Sequence, residues 1–126
     1  MRRRILWFAL AVVLLLLVGV WLQQSGTRPA PFDRAVWHAG EDAPFNSDAP
    51  RLRMADGLIA SGELLGRTRA ELEDMLGPPS NTSKFREYRL VYWLGPERGF
   101  VSIDSEWLAI RFNERQQVAD VRIVRD

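Results

Sequence analysis

The hydrophobic rhythm of the chain changes three times along its length. Residues Ile5–Leu22 carry no charged or strongly polar side chain. As a helix, that run of 18 residues rises about 27 Å, close to the hydrocarbon thickness of a bilayer. Residues 23–50 show neither a helical nor a strand period and contain Pro29, Pro31, Pro44 and Pro50, the pattern of a linker. From Arg51 a helical period begins. Leu52, Met54, Ala55, Leu58 and Ile59 recur on one face, and Ser61-Gly62 supplies a stop. A second helix is predicted after Thr68, whose hydroxyl and the Glu71 carboxylate make a capping box. Leu72, Met75 and Leu76 form its apolar face. Gly77 suits a left-handed position just past its end, and Pro78-Pro79 forbid continuation.

The rest of the chain alternates. Residues 84–94 place Phe85, Tyr88, Leu90, Tyr92 and Leu94 mostly on one parity, with Val91 and Trp93 on the other. Residues 106–113 put Leu108, Ile110 and Phe112 inward and Ala109, Arg111 and Asn113 outward. The polar stretch 113–117 then turns into a last strand over 118–124, in which Val121 and Ile123 oppose Asp120 and Arg122. The expectation is an α+β domain over 51–126: two helices packed on a three-stranded antiparallel sheet, preceded by a transmembrane helix and the 23–50 linker. Within that linker, Phe32, Val36, Trp37 and Phe45 are apolar enough to dock on the domain, with Trp37 as a plug; a loosely ordered tether is the alternative.

Charge sharpens the topology. Of the 17 Lys and Arg residues, Arg2, Arg3 and Arg4 precede the apolar run, so 14 basic residues face 16 acidic ones in the rest. The positive-inside rule then predicts a cytoplasmic tail at 1–4, a single span at 5–22, and the domain across the cytoplasmic membrane. A cleaved signal peptide would begin in the same way. The length of the run, and the lack of a small-x-small site after Leu22, favour an uncleaved anchor. The slightly acidic remainder speaks against nucleic-acid binding. The absence of cysteine removes disulfides, thiolate metal sites, cysteine nucleophiles and a lipidated cysteine.

Residues 65–79 resemble a G-x-T/S-x-x-E-V/L-x-x-L-L-G-x-P pattern, with Met75 at the first Leu of its L-L-G, and the last strand pair is Leu108–Asn113 and Val118–Ile123, the latter of V-x-D-V-R type. In these segments the chain resembles the BamE/SmpA-like envelope proteins over about residues 50–126. Residues 92–108 are closer still to a Y-x-L-G-P-E-R-G-F-x-S-I-D-S-E-W-L stretch in small uncharacterised bacterial envelope proteins. The resemblance implies the two-helix, three-strand fold and a scaffolding role in the envelope. The chain lacks the lipidated cysteine of BamE-type proteins.

Candidate chemistry concentrates between Leu94 and Trp107, where Gly95-Pro96 and Gly99 make turns among Glu97, Arg98, Asp104 and Glu106. The expected function is a non-enzymatic interaction module, without cofactor or metal, that binds an envelope partner protein through this loop and the sheet edge. In that reading Arg98 grips a carboxylate, Phe100 and Trp107 stack, and Glu97, Asp104 and Glu106 complete the surface. A different class of reading uses Asp104 and Glu106 for a hard cation or for acid–base work. The bland reading is a structural spacer, with Arg98 salt-bridged to Asp104 or Glu106. The single histidine, His38, reads as a surface residue of the linker. Ser102 and Ser105 have no histidine at triad spacing.

Overall fold

The computed structural model describes residues 2–25, 28–42, 49–99, 101 and 103–126; within its first helix, side chains are described for 7 and 9–20. Four helices, α1 (Arg2–Ser25), α2 (Arg34–Ala39), α3 (Pro50–Ser61) and α4 (Arg69–Leu76), are followed by β1 (Leu90–Pro96), β2 (Ser105–Phe112) and β3 (Val118–Arg125). The strands form one antiparallel sheet in the order β1-β2-β3.

The expected membrane span falls within α1. Among the described residues no helix is long and apolar enough to cross a membrane. The side chains of residues 5, 6, 8, 21 and 22 lie outside the described residues. The transmembrane helix, the signal anchor and the placement in the cytoplasmic membrane are therefore corrected: the structure supports none of them. The α+β fold consists instead of four helices and a three-stranded antiparallel sheet.

α3 starts with Pro50 in its first turn, where a missing N–H costs nothing, and ends at Gly62 in the left-handed region. Its Leu52, Met54, Ala55 and Leu58 enter the core, while Ile59 stays exposed. α4 carries both halves of the expected capping box: Glu71 N–H donates to the Thr68 hydroxyl, and Thr68 N–H donates to the Glu71 carboxylate. Gly77 does have a positive φ, +81°, but its ψ of −173° is extended rather than left-handed helical. A Cβ there would lie 2.8 Å from His38 Cε1, so His38 is packed against the chain and half-buried, not a free surface residue.

Residues 28–42, within the segment read as a linker, are built into the domain. Asp33 caps α2 by accepting from Val36 N–H at 3.0 Å. Trp37 is fully buried, and its indole N–H donates to Leu76 O at 3.0 Å, satisfying a carbonyl at the end of α4. Its ring meets those of Phe32 and Tyr92 at 5.9 and 6.3 Å. Arg51, also buried, donates to the carbonyls of Trp37 (2.6 Å) and Trp93 (3.1 Å) and lies over the Trp37 ring. Burial pulls its pKa down, partly offset by Glu41 and Asp42. Phe45 and Pro44 lie outside the described residues.

In the sheet, Leu90, Tyr92, Leu108 and Ile110 face the helices. β3 adds Val121 and Ile123 to that face. The alternation of 84–94 becomes strand only from Leu90. Residues 84–89 form turns, with Phe85 at φ +58°. That turn covers the opposite face of the sheet. Phe85 packs on Trp107 (6.0 Å) and Tyr88 lies under Arg111 (4.5 Å), so Ala109, expected to point to solvent, is fully buried.

Candidate functional site

The expected recognition stretch sits at one end of the sheet. A β-bulge between Trp93 and Gly95 shifts the β1–β2 register and sets Gly95, which has no side chain, opposite Glu106. Glu106 continues the inward column of Leu108 and Ile110 and is 0 % exposed. A carboxylate so placed must be paired. Arg98 does so from the loop: its backbone N–H donates to Oε1 (3.3 Å), its Nε–H to Oε2 (2.9 Å), and an Nη lies 2.8 Å from Oε2. Arg125, opposite Glu106 on β3, donates to Oε1 at 3.0 Å and pairs with Glu97 at 2.8 Å. Arg98 also pairs with Asp56 on α3. Burial alone would lower the pKa of Arg98; the hydrogen bonds and charges of Asp56 and Glu106 outweigh it and raise it. The result is a clamp of two arginines and three carboxylates that joins α3, the loop, β2 and β3.

This geometry assigns roles that differ from the sequence reading. Arg98 is occupied within the fold, so it positions the loop instead of gripping a partner. Glu106 presents no free carboxylate oxygen to a cation or a substrate. Asp104 lies just ahead of β2 with an exposed side chain, and its backbone carbonyl accepts from Glu97 N–H at 2.8 Å. Asp104 and Glu106 therefore do not form a carboxylate pair. Among the described residues no group of three or more His, Asp or Glu side chains could hold a metal ion. Trp107 lies on the opposite face of the sheet from Glu106, against Phe85, and is not part of the clamp. Its indole N–H helps slightly to hold the Asp126 carboxylate charged, but its geometry falls short of a hydrogen bond. Phe100 and Ser102 lie outside the described residues.

Sequence reasoning missed Asp56 and Arg125. Arg125 shares the inward parity of Val121 and Ile123, but a turn register that sets Phe112 against Val118 would place residue 124 opposite Glu106; the register shift between Arg111 and Phe112 brings Arg125 there instead. Asp56 lies 42 residues from Arg98, and no local signal links them.

Between the two ends of this clamp the loop exposes apolar side chains. Val101 is 63 % exposed and Ile103 79 %, the two most exposed large hydrophobic side chains described outside α1. No known family, curated protein or solved structure matches this chain.

Proposed function

We propose that this chain is a protein-interaction module that recognises its partner through the tip of the 97–105 loop. The observation that carries this reading is the pairing of a fixed base with an apolar tip. Glu106, Arg98, Asp56 and Arg125 hold both ends of the loop, while Val101 and Ile103 stand out in solvent. Isolated exposed hydrophobic residues are ordinary; two of them close together on one loop held at its base make a small apolar anchor. Covering such side chains on a partner recovers their transfer free energy. The resemblance of residues 50–126 to BamE/SmpA-like scaffolding proteins supports the same class of function.

The test is a crosslinking pull-down with the tagged full-length chain and a Val101→Asp/Ile103→Asp double variant. The native chain should recover a partner protein that the variant loses, with the thermal melt of the variant unchanged. Recovery of the same proteins by both would overturn the reading.

A further inference from the structure

The β3 edge offers a second surface, independent of the loop. The first edge of the sheet is covered: Ser80 N–H donates to Val91 O, and Trp93 N–H donates to the Ser80 hydroxyl. On β3 only the start is covered, where Val118 exchanges hydrogen bonds with Gly66 and Arg67. Asp126 N–H donates to Ser105 O, so past the register shift the even-numbered residues of β3, from Asp120 on, turn their backbone groups toward β2. By alternation Val121, Ile123 and Arg125 direct theirs outward, where no described strand pairs with them.

On the outer face, one row crosses the sheet. Trp93 pairs with Trp107, and Trp107 with Val124. All three are only half-buried, and the row stops at the open edge. We infer that β3 pairs antiparallel with β3 of a second copy of this chain about a two-fold axis at Val124, extending the three-stranded sheet to a continuous six-stranded one.

Charge selects this register. An axis at Val121 would drive the second strand into Gly66–Arg67. An axis at Arg122 opposes two arginines, and one at Ile123 opposes Asp120 to Asp126 of the other copy. The axis at Val124 sets Arg122 opposite the other copy's Asp126, twice, on the outer face. It pairs the outward groups of Ile123 with those of Arg125, and it places Val124 on Val124 between the two Trp107 rings. Asp126, held charged by Lys84 and the Ser105 N–H, and Arg122, which pairs with Asp120 at 2.6 Å, would each share that partner with the other copy. In this register residues 122–126 of each copy lie opposite one another.

The chain has no native cysteine, which makes a single introduced thiol decisive. In the axial pair the two Val124 Cα atoms are about 4.5 Å apart, within the range a disulfide spans. Mild oxidation of the full-length Val124→Cys variant should give a disulfide-linked dimer about tenfold faster than Ala119→Cys, which this register leaves without a partner in reach. Adding Val124→Lys to the native background should shift sedimentation toward monomer. The loop variant Val101→Asp/Ile103→Asp, placed on Val124→Cys, should crosslink as before, which separates this surface from the loop. Equal crosslinking of the Val124 and Ala119 cysteines, or none, would overturn the inference.

Discussion

Glu106 is sealed at the end of a core strand, and its two arginines are what make that position tolerable. Removing one partner of a buried ion pair costs more than the pair itself contributes, because the remaining charges lose their counterion. Arg98 keeps Asp56, Arg125 keeps Glu97, and both arginines reach solvent, which softens the loss. Glu106→Ala should therefore destabilise by about 3 kcal/mol, the low end for breaking such a pair, as read from denaturant unfolding. A change within 0.5 kcal/mol, the ordinary scatter of roughly neutral surface substitutions, would remove the clamp from the account. Asp126 bears on pH. Lys84 first, then the Ser105 N–H, hold its carboxyl below the ordinary value of 3.8. A depressed carboxyl pKa contributes stability that is complete above the unfolded value and is lost as pH falls through the folded one. That contribution should begin to decline below about pH 4 and be gone once the folded carboxyl is protonated, and Asp126→Asn should flatten the acid limb of the stability profile. An acid limb identical in both proteins would show that the Lys84 pair adds nothing.

At the level of elements, the contact between the 28–33 segment and α3 depends on one missing side chain. A Cβ on Gly57 would lie 2.3 Å from the carbonyl oxygen of Ala30, whose N–H donates to Arg53 O at 2.9 Å. Gly57→Ala would gain about 1 kcal/mol in helix propensity. The clash is with backbone, and overpacking of that kind costs about 1–3 kcal/mol. The clash should win, giving a net loss of about 1 kcal/mol in chemical denaturation. A more stable variant would mean that the segment yields freely. Legibility at this scale followed locality. The capping box of α4 and the 113–117 hairpin rest on neighbours in sequence, and both were readable. The alternation of 84–89 was misleading because Phe85 and Tyr88 do lie on one side, but in a turn folded over the sheet, where tertiary contacts with Trp107 and Arg111 replace strand pairing. Pro29 and Pro31 read as linker residues, whereas the contacts that fasten Trp37 to the end of α4 and to β1, with Leu76 and Tyr92, come from far along the chain.

For the whole molecule, the sheet has two unequal faces and one unfinished edge. Helices and the Trp37 segment cover one face; a single turn covers part of the other. The clamp and the aromatic row meet the open edge at neighbouring rows, since Glu106 faces Arg125 and Trp107 faces Val124. The location of the candidate site was legible, because turn formers crowd among charges between 94 and 107. The roles within it were not. They depend on a bulge that aligns Glu106 with Gly95 and on an aspartate from a distant helix, and neither leaves a periodic trace.

The docking of residues 28–42 also has a mechanical meaning. A tether has slack and takes up displacement before it carries force. Here the chain entering the domain is fastened at Ala30, Asp33 and Trp37 to α3 and α4, and Arg51 ties it on to β1. Tension applied ahead of residue 28 is therefore borne by the core at once, and pulling on that end loads the packing around Trp37 before any length is released.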